Sequence, residues 1–171
     1  VSFHREENLT NKNNIKGFKE IINYLSDSFK IKILISTHPR SRKYLSENIK
    51  KNIKNISYCN PFSFKEYLAL QISSKIIISD SGSLPEESSI LNLKSIFLRE
   101  NFERQEIFPS SSIIMCDPNI DSFKNVMNFE NQSSIKDKSF EEYKTKDFSE
   151  RLSRIIISKI DHINRYIWHK N

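Results

Sequence analysis

Residues 75–91, "KIIISDSGSLPEESSIL", decide the fold class, because they join a short apolar strand to a helix through a polar turn. Three consecutive isoleucines favour a strand that is buried on both faces of a sheet. Asp80, Ser81 and Gly82 follow at once, and Pro85 is acceptable in the first turn of the helix that comes next. A strand, a turn and a helix in this order are typical of α/β proteins with a parallel sheet.

The same unit recurs along the chain, since short apolar runs alternate with helical periods. The predicted strands are 1–3, 32–36, 56–59, 75–79, 95–99 and 112–116. The predicted helices are 15–25, 40–48, 63–74 (with Ser63 and Glu66 as a capping box), 84–92, 121–129 and a terminal amphipathic helix over 148–169, with a polar connection over 130–146. We therefore predict one domain, 1–171, with a Rossmann-like three-layer α/β/α parallel sheet of about six strands.

Composition and charge argue against several classes of protein. The chain has 171 residues, 37% apolar and 28% charged, as in a globular domain. Its formal charge of +6 is spread along the chain, so nucleic-acid binding is not predicted. No apolar run approaches the ~20 residues of a membrane span. Cys59 and Cys116 are far apart, which favours free thiols and a cytoplasmic location. No cluster has metal-ligand spacing, so neither a metal nor a cofactor is predicted.

Polar groups follow four of the predicted strands. An open parallel sheet binds its ligands at this place, beyond the carboxyl ends of its strands. They occupy residues 4–7, 37–40, 80–82 and 99–104. His4 and His38 fall on the same predicted rim, so we expect ligand contact rather than a loop role. His162 and His169 lie on the terminal helix, where surface or partner contact is the default. Phe64 and Tyr67 are core candidates, although one of them could stack on a base.

The opening segment predicts a nucleotide or nucleotide-sugar site. Ser83 is a candidate helix cap with Glu86 three residues later, and Gly82 would let a ligand approach the backbone. The helix start suits a phosphate, and Ser81 can add a hydroxyl donor. Glu87 cannot favour a phosphate, but it can accept hydrogen bonds from a sugar diol, as an acidic residue does in dinucleotide folds. Glu86 is expected to serve the helix itself, through the cap or the helix dipole.

Four segments together resemble the non-hydrolysing UDP-N-acetylglucosamine 2-epimerase family. They are "SFHREEN" (2–8), "STHPRSRKYL" (36–45), "SDSGSLPEESSIL" (79–91) and "LRENFERQE" (98–106). Within the family, "STHPRSRK", "EESSILN" and the tail "SERLSRIIIS…NRYIW" look most similar to the branch that makes UDP-N-acetyl-L-fucosamine for bacterial capsule or O-antigen. The resemblance implies the C-terminal half of a GT-B fold. It also implies a UDP-sugar substrate bound in a cleft shared with the N-terminal domain of the same enzyme, and a homodimer at full length.

The resemblance also assigns residues. It makes His4 a catalytic candidate near the diphosphate, places Tyr67 beside the uracil and gives Glu87 the ribose hydroxyls. The full implied UDP-binding set is Arg5, His38, Tyr67, Ser81, Gly82, Glu87 and Arg104. Two places depart from the family pattern. Ser83 stands where a second glycine is usual, and "FERQE" (102–106) replaces T-E-R-P-E.

The family mechanism is elimination of UDP across C1 and C2, followed by re-addition with the C2 proton on the other face. Its acid–base carboxylates belong to the N-terminal domain, so this chain alone is expected to bind UDP without turnover. Two alternatives stay open at this point. One is the donor-binding domain of a GT-B glycosyltransferase, although "HREEN" and "HPRSRK" favour the epimerase. The other is a fragment that serves only as an interaction module.

Overall fold

A computed structural model describes residues 1–45, 55–102, 104–110, 113–132 and 141–170 of the chain. It divides the chain into two compact units, Val1–Phe140 and Glu141–Asn171. The first unit contains the sheet and every residue predicted to bind UDP.

Five parallel strands form the sheet in the described part of the first unit. They are β1 (Ile33–Ser36), β2 (Ile56–Cys59), β3 (Ile77–Ser79), β4 (Ser95–Leu98) and β5 (Ile113–Cys116). β1 pairs with β2 in a register that joins Ile33 to Ile56, and β4 pairs with both β3 and β5. Every residue of β3 and β4 is buried, as expected for strands covered by helices on both faces.

Ser2 joins the two groups of strands, since it bridges in parallel to both Ser36 and Ser79. The order across the sheet is therefore β2, β1, Ser2, β3, β4, β5, which is the Rossmann order. The predicted strand 1–3 is reduced to this single bridge. The reason is that the backbone after Phe3 leaves the ladder, and the N–H groups of His4 and Arg5 turn to the Asp80 side chain. The predicted parallel α/β class is confirmed.

Six α-helices accompany these strands in the described part of the first unit. They are α1 (Glu6–Thr10), α2 (Lys12–Ser28), α3 (Pro39–Leu45), α4 (Phe64–Ser73), α5 (Leu84–Leu91) and α6 (Ile120–Gln132), with a 3₁₀ helix at Gln105–Ser110. The sequence did not predict α1. The predicted helix 40–48 is observed as α3, and residues 46–48 lie outside the described residues. The first three residues of the predicted polar connection over 130–146 are helical, because α6 continues to Gln132, and residues 133–140 lie outside the described residues.

The core lies between the sheet and the pair α2 and α6. Phe18 of α2 stacks on Phe3 with ring centroids 4.2 Å apart, and Phe123 of α6 is fully buried in the same cluster. A Cβ on Gly17 would lie 1.9 Å from the Pro118 carbonyl oxygen. α2 therefore touches the backbone that leads into α6, and only glycine fits at that position.

The predicted capping box at the start of α4 is confirmed. The Ser63 hydroxyl accepts from the Glu66 N–H at 3.5 Å, and the Ser63 N–H donates to the Glu66 carboxylate at 2.9 Å. Hydrogen bonds from the Ser63 side chain and backbone lower the pKa of Glu66. The cap fixes where α4 begins, which matters because this helix carries Phe64 and Tyr67.

The second unit is helical. It contains a 3₁₀ turn at Glu141–Lys144, helix α7 (Phe148–His162) and a π-helix at Ile163–Ile167. The predicted single helix over 148–169 is therefore wrong at its C-terminal end. There the Trp168 N–H donates to the Ile163 carbonyl at 3.0 Å, five residues back, instead of four. Among the described residues, no helix is long and apolar enough to cross a membrane.

Candidate functional site

A cavity of about 940 Å³ opens at the carboxyl ends of Ser2, β3 and β4. Six of the eight predicted site residues line it: His4, Arg5, Ser81, Gly82, Glu87 and Arg104. The sheet order explains the grouping, because the loops after the neighbouring strand ends meet at one edge. His38 and Tyr67 do not line the cavity and are described below.

Asp80 anchors the loop that follows Ser2. Its side chain is fully buried, and its two oxygens accept from the His4 N–H at 3.0 and 3.1 Å. One oxygen also accepts from the Arg5 N–H at 2.9 Å and from the Asn8 side-chain amide at 3.1 Å. A buried carboxylate with this many donors is well satisfied, so it holds the first loop rigidly against the end of β3.

Asn8 extends this polar network to the next strand. Its amide also donates to the Leu98 carbonyl at 3.3 Å, and its oxygen accepts from the Asn14 amide at 3.0 Å. Glu7 pairs with Arg99 at 2.7 Å. Arg99 is only 6% exposed, so it joins α1 to the end of β4 and does not project into the cavity as the sequence suggested. Glu103, which belongs to the same predicted polar segment over 99–104, lies outside the described residues.

His4 points one ring nitrogen inward and leaves the other edge at the cavity. Its Nδ1 lies 3.4 Å from Asp80 Oδ1 and 3.3 Å from the Ser2 hydroxyl. The side chain is 37% exposed. The ring centroid of His38 is 6.3 Å from that of His4. The predicted pair of histidines therefore shares one rim, although His38 does not line the cavity itself.

The turn after β3 differs from the predicted cradle in two ways. A Cβ on Gly82 would lie 2.4 Å from Arg5 Nη2, so the open side of Gly82 faces a guanidinium and not an empty approach for a ligand. Ser83 does not cap α5, because its backbone is in the helical region (φ −87°, ψ −10°) and not extended as a cap requires. Its hydroxyl donates instead to Glu87 at 2.7 Å.

The start of α5 offers fewer free N–H groups than the sequence suggested. Pro85 has no N–H, and the Leu84 N–H already donates to the Ser81 carbonyl at 3.1 Å. The Ser81 N–H donates to the Ser79 hydroxyl at 3.0 Å. The Ser81 hydroxyl lies at the cavity, 3.1 Å from the Ser83 hydroxyl. The polar groups at this end of the cavity are therefore side chains as well as the start of α5.

The two adjacent glutamates have separate partners. Glu87 accepts from the Gln71 amide at 2.6 Å and from the Ser83 hydroxyl, which fixes both of its oxygens at the cavity. Glu86 forms an ion pair with Arg104, whose second nitrogen donates to the Gly82 carbonyl at 2.7 Å. Glu86 thus holds Arg104 over the start of α5, which replaces the predicted capping role.

Tyr67 and Phe64 of α4 line different cavities. Burial raises the pKa of Tyr67. Hydrogen bonds with Ser2 and Ser79 lower that pKa, and the negative charges of Glu87 and Asp80 raise it further. Tyr67 lines a second cavity of about 330 Å³ that runs along β1 and β3. Phe64 is 73% exposed and lines the first cavity. Phe64 therefore lines the candidate site, and Tyr67 lies beside it, close to Ser2, Ser79 and Glu87.

Sequence reasoning missed Asn8 and Gln71, the two amides that brace Asp80 and Glu87. The Gln71 position carried a weak signal, since it follows Tyr67 by four residues on the same helical face. The Asn8 position carried almost none, because asparagine is common throughout this chain. Over the described ranges, no group of three His, Cys, Asp or Glu side chains is arranged to hold a metal ion.

Comparisons with known proteins agree on one family. The family model described as UDP-N-acetylglucosamine 2-epimerase matches residues 1–162. The UDP-N-acetylglucosamine 2-epimerase of Methanococcus maripaludis is 35% identical over 119 residues, which are 67% of this chain and 32% of that protein. This chain therefore spans about a third of that relative.

Solved structures give the same result. UDP-N-acetylglucosamine 2-epimerase from Rickettsia bellii matches with a TM-score of 0.76 and 30% identity, over 99% of this chain and 47% of its own. The Methanocaldococcus jannaschii enzyme, solved in complex with UDP-GlcNAc and UDP, matches with a TM-score of 0.73 and 28% identity, over 92% of this chain and 44% of its own. In both cases this chain spans less than half of the solved protein.

Proposed function

The chain belongs to the UDP-N-acetylglucosamine 2-epimerase family, and we propose that it is the UDP-binding half of a two-domain epimerase that acts at C2 of a UDP-2-acetamido sugar. The observation that carries the proposal is the cavity in which His4, Arg5, Ser81 and Arg104 meet beside the start of α5. These groups are cationic or hydrogen-bond donors, which is the chemistry that a diphosphate requires.

The proposed diphosphate site lies between the first loop and α5. Arg5 lies beside Gly82, Arg104 donates to the Gly82 carbonyl, and Ser81 lines the same cavity. When UDP leaves C1 of the sugar, negative charge builds on the diphosphate. Donors that are already in place stabilise this charge without reorganisation, and they hold UDP for re-addition.

The proposed nucleoside site uses the opposite wall. Glu87 is held by Gln71 and Ser83 with its carboxylate at the cavity, where it can accept from the ribose hydroxyls. Phe64 and Leu68 add apolar surface along α4, so we place the uracil against them. The implied contact between Tyr67 and uracil remains a prediction: Tyr67 lies close enough to Glu87 for that carboxylate to raise its pKa, but it does not line the same cavity.

The reaction in this proposal is balanced without a cofactor. A base removes the C2 proton, the C1–O bond breaks toward UDP, and a 2-acetamidoglycal remains. UDP then adds back to C1 while a proton reaches C2 from the other face. We assign the proton transfers to an N-terminal domain outside this chain, so the 171-residue chain alone binds UDP and does not turn over substrate.

Within the family, we propose the UDP-2-acetamido-2,6-dideoxy-L-talose branch, which leads to UDP-N-acetyl-L-fucosamine for capsule or O-antigen. The segments at 36–43 and 86–92 and the tail support it by their resemblance alone. We further propose a homodimeric enzyme in the cytoplasm, a location that suits the free thiols Cys59 and Cys116. Product analysis of a full-length protein against both candidate sugars tests this branch, and transfer of the sugar to an acceptor would point to a glycosyltransferase instead.

Calorimetric titration with UDP tests the binding proposal. We expect the chain to bind UDP, and Arg104→Met to weaken binding about tenfold or more because a charge-assisted contact is lost. The matched control is Arg154→Met, which removes the same charge from an exposed helix of the second unit. Equal affinities for the two variants would contradict the assignment, and sugar turnover by the 171-residue chain would contradict the division of labour.

A further inference from the structure

Asp80 is not a ligand contact of the proposed function, and yet its side chain accepts hydrogen bonds from three residues beside the cavity, His4, Arg5 and Asn8. It is fully buried and bonds the backbone N–H groups of both His4 and Arg5. The same carboxylate also faces the His4 ring, with Oδ1 3.4 Å from Nδ1. One buried group thus controls the position of the loop and one edge of the imidazole.

We propose that Asp80 is a positioning residue that fixes the Nδ1–H tautomer of His4 and so presents Nε2 to the cavity. Both Asp80 oxygens act as acceptors, and an unprotonated Nδ1 would set two lone pairs against each other. A proton on Nδ1 removes this repulsion and makes the pair attractive. The ring edge that carries Nε2 then faces the cavity, where the ligand site is proposed.

The Ser2 hydroxyl is the rival partner of the same nitrogen. It lies 3.3 Å from Nδ1 and accepts from the Ser79 hydroxyl at 3.2 Å, so its own hydrogen could point to His4. That arrangement would require the other tautomer, with the proton on Nε2. Charge favours the Nδ1–H tautomer, because a hydrogen bond to an ionised carboxylate is stronger than a hydrogen bond between the neutral imidazole and a hydroxyl.

The tautomer has a consequence for UDP, and this step rests on the proposed function. With Nδ1–H held by Asp80, a protonated His4 has its second N–H directed into the cavity, where a phosphate oxygen can accept it. The carboxylate behind the ring balances the charge of the imidazolium, as an aspartate does behind the histidine of a catalytic triad. Asp80 therefore acts on the ligand through His4 and not by contact.

Nitrogen NMR of the histidine side chains tests the tautomer without any ligand. At about pH 8, where an ordinary imidazole is neutral, we expect wild-type His4 to carry its proton on Nδ1. In Asp80→Asn the amide can turn its NH₂ toward Nδ1, so His4 should switch to the Nε2–H form. His162, which lies in the second unit, should not change and serves as a control in the same spectrum.

A double-mutant cycle with UDP tests the functional step. We expect Asp80→Asn to weaken UDP binding about tenfold, and to have no further effect in a His4→Gln background. Independent losses in the two backgrounds, or a wild-type His4 protonated on Nε2, would overturn the proposal. If Asp80→Asn fails to fold, the tautomer of His4 in the wild-type chain still tests the proposal. If the wild-type chain does not bind UDP, the proposed function fails, while the NMR result stands by itself.

Discussion

The two glycines of this chain lie in two regions that are built in different ways. Gly17 is in the core, where a Cβ would lie 1.9 Å from the Pro118 carbonyl oxygen, a backbone atom. Gly82 is at the cavity, where a Cβ would meet only the end of the Arg5 side chain. The core is fixed by backbone contacts that cannot move, whereas the site is formed by side chains held in place by hydrogen bonds.

The largest effect on stability is expected at Gly17, where the backbone of α2 contacts the backbone at Pro118. Gly17→Ala should lower the free energy of unfolding by about 3 kcal/mol, because α2 must move away from the residues before α6. Urea unfolding followed by circular dichroism measures this change. Lys16→Ala is the control, since Lys16 is an exposed neighbour on the same helix. A loss of stability no larger than in the control would show that the core contact can relax, and the comparison would fail.

The next effect separates the two glutamates of the cavity. Glu87→Gln should weaken UDP binding about tenfold, because a charged acceptor for the ribose hydroxyls becomes neutral. Glu86→Gln should leave the affinity unchanged or raise it, because the positive charge of Arg104 would no longer be shared with Glu86 and would act on the diphosphate alone. Calorimetry of both variants gives the comparison, and a larger loss at Glu86 would contradict the assignment.

The Glu87→Gln substitution should disturb the fold little, so a change in UDP affinity can be attributed to the ligand contact. The new amide can still accept from Ser83, and its NH₂ group would face Gln71. The Gln71 Oε1 atom is buried and has no hydrogen-bond partner among the described residues. If the Gln71 amide turns over, that oxygen can accept from the new NH₂ group. An unchanged unfolding free energy would confirm that only the ligand contact was altered.

The sequence was sufficient for the fold because each step along the chain repeats one local pattern. An apolar strand, a polar turn and a helix define a parallel sheet, and the strand ends of such a sheet meet at one edge. The strand ends identified the loops at that edge, and the family resemblance then assigned roles to residues within them. The single-residue bridge at Ser2 and the short helix α1 were harder to predict, since both depend on the distant Asp80 side chain.

The details of the site depended on contacts that sequence spacing does not reveal. Phe64 and Tyr67 are three residues apart on α4, and which of them faces the cavity is set by the packing of that helix. The partner of Glu86 is Arg104, far along the chain, so the local capping pattern was the only visible explanation. Tertiary ion pairs of this kind override local helix signals.

The smallest effect is expected at Gly82, and it tests the cavity side of the comparison. Gly82→Ala should leave the unfolding free energy within about 0.5 kcal/mol of wild type, because the Arg5 guanidinium can swing aside and the φ angle of Gly82 is not positive. UDP affinity should fall about threefold, or ~0.7 kcal/mol, since Arg5 is moved but not removed. In an Arg5→Ala background the same substitution should cost no affinity. A loss that persists there would mean that the ligand itself approaches Gly82, as the sequence first suggested.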